Sequence, residues 1–167
     1  NQLGKAVEIN TGTTIGPIQV SVSTRETVLP AVEGIAEKTF PVQVKLQNTG
    51  GGVVNSDKNK CNTEGVGCVD NVYLYIPTGD PTTTFSIESC SPASTNTTAG
   101  DTTTVTFSSV TLMGGSSAYL SCNIRAAADL LAKPDLEKSF KIRAAADYRY
   151  QVEGEAMVTV QGESVKR

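Results

Sequence analysis

The chain has 167 residues, a net charge of −3 and an apolar content of 38%, values that fit one well-buried domain better than two. Its 14 Lys and Arg residues are scattered along the sequence, which argues against a surface that binds nucleic acid. Histidine is absent, so the sequence excludes a Ser-His-Asp or Cys-His nucleophile and a His-liganded zinc site. The acidic residues show no spacing typical of a catalytic carboxylate pair, and we therefore expect neither an enzyme nor a bound cofactor.

Alternation of apolar and polar residues predicts three strands in the first half of the chain. Residues 15–24 place their apolar side chains on one face, the period of two expected where one strand face is buried. Residues 38–48, KTFPVQVKLQN, repeat the pattern, and Pro41 suits a strand start or an edge strand because it lacks an N–H. After the glycine-rich break NTGGG, residues 69–77 form the third predicted strand.

The second half of the chain has the same alternation. Residues 83–90 and 102–110 are rich in threonine and alternate, which predicts two more strands. The segment SPASTNTTAGD between them has low hydrophobicity and predicts a turn-forming separator. Three further strands are predicted at residues 116–126, 138–150 and 155–162.

One stretch has a helical pattern. Residues 125–135, RAAADLLAKPD, predict about two turns that end near Pro134, a short crossover helix between strands. Short strands separated by turn signals describe an all-β chain with an immunoglobulin-like β-sandwich of about 7 to 8 antiparallel strands. We therefore divide the chain into an N-terminal extension or linker (1–14), the sandwich domain (15–162) and a C-terminal tail (163–167).

Three segments of the chain carry a family resemblance. They are FPVQVKLQNTGGGVV, VTFSSVTLMGGSSAYLSC and KIRAAADYRYQVEGEAMVTV. This sequence resembles the immunoglobulin-like modules of the CARDB kind in archaeal and bacterial cell-surface proteins, in which a strand ending in Asn and Gly, here Asn48 and 50–52, precedes a Leu-x-x-Gly turn, here 112–115. The resemblance covers residues 16–162. It implies a surface-exposed binding or spacing module without catalytic residues.

The four cysteines allow three disulfide pairings. Cys61 and Cys68 flank NTEGVG, whose glycines let the chain turn back on itself, and this favours a bond between them. Cys90 ends one predicted strand and Cys122 lies on the apolar face of another, which favours the second bond. Free thiols that pack as small apolar groups and a four-cysteine zinc site are the alternatives, although the spacing lacks the C-x2–4-C knuckles of zinc sites.

The polar loop around the first two cysteines supplies candidate binding residues, because binding residues concentrate on loops held by a rigid scaffold. The candidates are Asp57, Asn59, Asn62 and Glu64. Asp57 and Asn59 begin a pattern similar to a calcium loop, but Cys61 occupies the position where that pattern needs its third oxygen ligand. We therefore predict no metal site.

Two further sets of residues are candidates for surface functions. Tyr73 and Tyr75 alternate on one predicted strand, as Tyr148 and Tyr150 do on another, and an aromatic patch of this kind can contact sugar or protein, although alternating tyrosines also pack across strands. Asn96 begins the triplet NTT, an N-glycosylation sequon in a segment that we predict to be an exposed loop.

Two functions are compatible with these features. The first is a non-catalytic adhesion or spacer module, stabilised by disulfides, that contacts protein or glycan at a cell surface or in the extracellular space. The second is a subunit of an extracellular filament or pilus, in which residues 1–14 complete the sheet of a neighbouring copy by donor-strand addition. No apolar run approaches the ~20 residues that span a bilayer, so we predict no transmembrane segment, and the chain resembles a mature subunit or an excised ectodomain.

Overall fold

A computed structural model describes residues 17–24, 38–55, 67–78, 85–112, 117–126, 141–151 and 154–157. The strands are β1 (Ile18–Thr24), β2 (Lys38–Asn48), β3 (Val53–Asn55), β4 (Cys68–Pro77), β5 (Phe85–Ser91), β6 (Thr95–Ala99), β7 (Thr102–Thr111), β8 (Ser117–Ala126), β9 (Arg143–Asp147) and β10 (Arg149–Gln151). Within these ranges the chain contains no helix. The helix predicted at 125–135 falls outside the described residues, except that Arg125 and Ala126 end β8.

Eight of the strands form two four-stranded antiparallel sheets. Sheet I has the order β1-β2-β8-β5, and sheet II has the order β6-β7-β4-β9. The short strands β3 and β10 pair with each other in a separate two-stranded sheet. Two antiparallel sheets of this size are consistent with a β-sandwich, and the all-β prediction is confirmed.

Apolar side chains from both sheets form one buried cluster. In β2, Phe40, Val42, Val44 and Leu46 are at most 1% exposed, while the residues between them are partly or fully exposed. The same alternation runs along β4, where Val72, Leu74 and Ile76 are completely buried. Successive side chains of a strand point to opposite faces, so this period of two gives each sheet one apolar face for the core and one polar face.

Pro41 lies in β2, which is an inner strand of sheet I between β1 and β8. A proline without an N–H is tolerated there because β1 ends at Thr24, which pairs with Val42, so that no β1 residue is paired with Pro41. The hydroxyl of Thr24 instead donates a hydrogen bond to the Pro41 carbonyl oxygen, 2.8 Å away. Among the described residues, Pro41 is therefore paired only on its β8 side, with Asn123.

The predicted separator between residues 90 and 102 is wrong, because it contains β6. The TNTT run of β6 pairs with β7 through the two-residue loop Gly100–Asp101. Gly100 has a φ of +61°, which suits the first loop position of a type II′ hairpin. All five residues of β6 are exposed, so the strand has no apolar face for a sequence pattern to reveal.

The C-terminal strand predictions also need correction. The strand predicted at 138–150 is shorter and is divided into β9 and β10, and Ile142 is buried just before β9. At the strand predicted for 155–162, residues 155–157 are irregular and exposed, Met157 being 97% exposed, and the remainder lies outside the described residues. Residues 155–157 have no pairing partner among the described strands.

Candidate functional site

The outer face of sheet II carries a pair of tyrosines surrounded by hydroxyl, amide and charged groups. We call it the tyrosine face, and it comprises Asn71, Tyr73 and Tyr75 of β4, Thr104, Thr106 and Ser108 of β7, and Arg143, Ala145 and Asp147 of β9. β4 lies between β7 and β9 in this sheet. The tyrosines are therefore central on the face.

Strand register decides which residues share this face. Tyr73 is paired with Thr106 on one side and with Ala145 on the other. Leu74, the next residue along β4, is completely buried in the core. Because the side-chain period of a strand is two, Tyr73 and Tyr75 must point away from the core.

Three contacts hold the tyrosine rings in place. The two ring centroids lie 6.3 Å apart, with 25° between the ring planes, which is a stacked arrangement. The guanidinium carbon of Arg143 lies over the Tyr75 ring, 5.4 Å from its centroid. The Tyr73 hydroxyl donates a hydrogen bond of 2.9 Å to Oδ2 of Asp147. Both rings are half-buried and are oriented before any partner arrives.

The Asp147 carboxylate raises the pKa of Tyr73 above the ordinary tyrosine value of 10.0. The largest cause is the hydrogen bond that the neutral hydroxyl donates to the carboxylate, followed by partial burial and by the negative charge of Asp147. The pKa of Tyr73 is higher in the folded chain than in the unfolded chain, so this interaction stabilises the fold fully below pH 10. Its contribution is lost as the pH rises through the raised pKa of Tyr73.

Replacing Asp147 by asparagine is expected to lower the pKa of Tyr73 toward its ordinary value, because it weakens the hydrogen bond that the neutral hydroxyl donates and removes the negative charge that opposes the phenolate. Alkaline titration followed by the ultraviolet absorbance of tyrosinate measures the change. Tyr73→Phe is the matched control, since it removes the hydroxyl whose pKa is raised. An identical titration curve for wild type and Asp147→Asn would contradict the contact.

The structure shows three of the four cysteines in disulfide bonds. Cys90 of β5 and Cys122 of β8 form a disulfide, and these residues lie directly opposite each other on neighbouring strands of sheet I. Cys68 is also disulfide-bonded and is only 1% exposed, since it is the first residue of β4 rather than part of a polar loop. Its predicted partner, Cys61, lies outside the described residues, so that pairing stays a prediction.

The remaining predicted site residues divide into two groups. The loop candidates Asp57, Asn59, Asn62 and Glu64 lie outside the described residues. Asn96 lies on β6 and not in a loop, and its side chain is exposed. In the described ranges, no group of three or more His, Cys, Asp or Glu side chains is placed to hold a metal ion. No helix in those ranges has the length and hydropathy of a membrane span.

The outer face of sheet I can be compared with the tyrosine face of sheet II. Its one strongly exposed aromatic residue among those described is Tyr119, with 53% exposure, and Lys45 Nζ lies 5.9 Å from the centre of the ring. Toward the other end of β8, Arg125 forms an ion pair with Glu88 and holds the pKa of that carboxyl below its ordinary value of 4.5. This face lacks a second stacked ring, so Tyr119 serves below as a matched control.

Sequence patterns alone did not select Arg143 and Asp147 as site residues. Their signal was present, because the alternation in RAAAD assigns Ala144 and Ala146 to the core side and leaves Arg143, Ala145 and Asp147 outside. The sequence did not show which strands lie beside each other in the sheet. Tyr73 and Asp147 are 74 positions apart, and only the pairing of β4 with β9 brings them together.

Comparison with known proteins identified no relative: no family model matches the chain, and no curated protein is significantly similar to it.

Proposed function

We propose that this chain is a non-catalytic interaction module of the cell surface or extracellular space, acting in adhesion or spacing, and that it binds its partner through the tyrosine face. One observation carries the proposal. Tyr73 and Tyr75 are stacked on an outer sheet face and are held by Asp147 and Arg143. Fixing aromatic side chains in advance reduces the entropy lost on binding, so such residues make effective contact points.

We further propose that the sandwich is immunoglobulin-like and of the CARDB kind. The order β1-β2-β8-β5 of sheet I matches the A-B-E-D order of an immunoglobulin sheet. Sheet II departs from that plan, because β6 and β7 follow β5 in the chain and yet belong to the sheet of β4, with β7 beside β4 and β6 at the edge. The proposal therefore rests on sheet I and on the short motifs of the resemblance.

An extracellular location is supported by cysteine chemistry. Cys90 and Cys122 are bonded, and Cys68 also belongs to a disulfide. Disulfides persist in oxidising compartments and are rare where cellular thiols keep cysteines reduced. A module that works outside the cell would retain both bonds.

The chemistry of the tyrosine face favours a glycan as the partner. A sugar ring has apolar C–H patches bordered by hydroxyl groups, and the face offers aromatic surface bordered by Thr104, Thr106 and Asn71. Arg143 supplies a donor and Asp147 an acceptor at the β9 side. A protein interface usually depletes aspartate at its centre, whereas here Asp147 adjoins the Tyr73 ring.

The test is binding of the purified chain to an array of immobilised oligosaccharides. The variant Tyr73→Ala with Tyr75→Ala is expected to bind at least about tenfold more weakly than wild type, because a truncated hot-spot residue costs about 2 kcal/mol or more. Tyr119→Ala, which removes one exposed tyrosine from sheet I, should bind as wild type does. Circular dichroism should show that all three proteins are folded at the assay temperature, although the double variant should melt at a lower temperature because it loses the hydrogen bond from Tyr73 to Asp147.

Two results would count against this function. Equal losses in the double variant and in Tyr119→Ala would show that binding does not depend on the tyrosine face. The second result has two parts: the wild type binds no oligosaccharide, and both the wild type and the double variant bind a purified surface protein. This result would assign recognition to another part of the chain.

The filament alternative depends on residues 1–14, which lie outside the described residues. Light scattering over a wide concentration range distinguishes the two functions, because the mass of a filament subunit should grow well beyond that of a dimer as concentration rises, and that of an interaction module should not. The stacked and oriented tyrosines support the surface module, whereas the filament rests on residues 1–14 alone, so the surface module is the function that we propose.

A further inference from the structure

Asn96 begins the one N-x-Ser/Thr sequon in the 167-residue sequence. It lies on β6, the edge strand of sheet II, and all five residues of that strand are exposed. β7 pairs with one side of β6, and within the described ranges no strand pairs with the other side. The asparagine that could accept a glycan therefore lies on a strand whose outer edge has no partner among the described residues.

The hairpin geometry decides which backbone groups face that open edge. A two-residue loop joins β6 to β7, so Ala99 and Thr102, which flank the loop, form a hydrogen-bonded pair. Hydrogen-bonded and non-hydrogen-bonded pairs alternate along an antiparallel ladder. The pairs of Asn96 with Val105 and of Thr98 with Thr103 are then non-hydrogen-bonded. The N–H and C=O groups of Asn96 and Thr98 consequently point outward.

β6 lacks the usual devices that prevent an edge strand from pairing with another chain. Its sequence, TNTTA, contains no charge and no proline, and its register with β7 has no bulge. The opposite edge strand of the same sheet, β9, carries Arg143 and Asp147. Neither charge nor proline on β6 therefore protects this edge.

We propose that Asn96 is an N-glycan acceptor and that its glycan shields the open edge of β6 against pairing with a second copy of the chain. In the transfer, Nδ2 of Asn96 forms a bond to the anomeric carbon of a lipid-phosphate-linked oligosaccharide. The bond between that carbon and the phosphate oxygen breaks, and the lipid phosphate leaves with the electron pair. The amide nitrogen loses one proton to a base of the transferase, and no electron transfer occurs.

The glycan would not cover the tyrosine face. Asn96 is paired with Val105, and Val105 is paired with Leu74, so these three side chains lie on the core side of sheet II. Tyr73 and Tyr75 lie on the opposite side. Shielding of the edge and binding by the tyrosine face are therefore independent, and each can fail without the other.

The intact mass of the chain secreted from a host that carries an oligosaccharyltransferase tests the acceptor. Wild type and Thr97→Ala, which keeps the sequon, should both carry a hexose-containing mass increment. Asn96→Gln should lose it, and so should Thr98→Val, which leaves Asn96 in place and keeps a β-branched residue in the strand. A wild-type chain secreted at its unmodified mass overturns the proposal.

Sedimentation velocity of the same four proteins tests the shielding. The glycosylated wild type and Thr97→Ala should remain monomeric, while Asn96→Gln and Thr98→Val should shift toward dimers as concentration rises. A charge placed on the bare edge, as in Asn96→Lys, should restore the monomer, because charged residues block edge pairing. If the unglycosylated variants sediment as the glycosylated wild type does, the glycan has no shielding role.

Discussion

Replacing Phe40 by alanine is expected to lower the free energy of unfolding by about 3 to 5 kcal/mol, the usual cost of removing a buried phenylalanine ring. Phe40 is 1% exposed and lies on β2, an inner strand of sheet I. Its ring meets that of Phe85 edge to face, with centroids 5.7 Å apart and 76° between the planes. The substitution therefore leaves a cavity and removes an aromatic contact.

Equilibrium denaturation in urea measures this loss. Gln43→Ala on the same strand is the matched control and should change stability by less than about 0.5 kcal/mol, since its side chain is exposed. Phe40→Leu keeps most of the buried volume, so its loss of stability should lie between the losses of the other two variants. It replaces Phe40→Ala in the comparison if the alanine variant does not fold. Equal stability of Phe40→Ala and Gln43→Ala would contradict the position of Phe40 in the core.

Removing the Cys90–Cys122 disulfide is expected to cost about 2 to 5 kcal/mol. The bond joins residues 32 positions apart, and the chain-entropy model gives roughly 3.7 kcal/mol for a ring of this size. β5 and β8 are already hydrogen-bonded neighbours at this point, so the bond adds no new contact between sheets. We expect its effect to come mainly from restricting the unfolded chain.

The double variant Cys90→Ala with Cys122→Ala makes this measurement by urea denaturation. Alanine is preferred to serine because Cys122 is 1% exposed, and a serine hydroxyl there would be buried without an assigned partner. A loss below about 1 kcal/mol would show that the unfolded chain is not restricted by this bond.

The second cysteine pair provides a comparison. If Cys61 and Cys68 are bonded, alanine at both positions should cost less than the Cys90–Cys122 variant, because their short ring contributes roughly 2.5 kcal/mol in the same model. Cys68 is buried at the start of β4, so its truncation adds a packing loss that a rim-loop residue would not show. Peptide mapping of the unreduced protein identifies the partner of Cys68 before the comparison begins.

The amino-acid sequence by itself determined which residues of most strands are buried. In β2 the predicted and observed bounds agree, and the predicted inward residues Phe40 and Val42 are at most 1% exposed. The physical reason is local: side chains of an extended chain alternate between two faces whatever strand lies beside them. The same reasoning predicted that Cys122 would lie on the apolar face of its strand, and it is buried there.

Only the tertiary structure decided which strands became neighbours. β6 has no apolar face, and β3 and β10 are three residues long, so these strands exist because other strands complete their hydrogen bonds. The partner of β6 is the adjacent strand β7, whereas β3 and β10 are distant in sequence from each other. The contact between Tyr73 and Asp147 also depends on register between distant strands. Alternation is a property of each segment, whereas pairing depends on which edges meet when the chain collapses, and no short stretch of sequence contains that information.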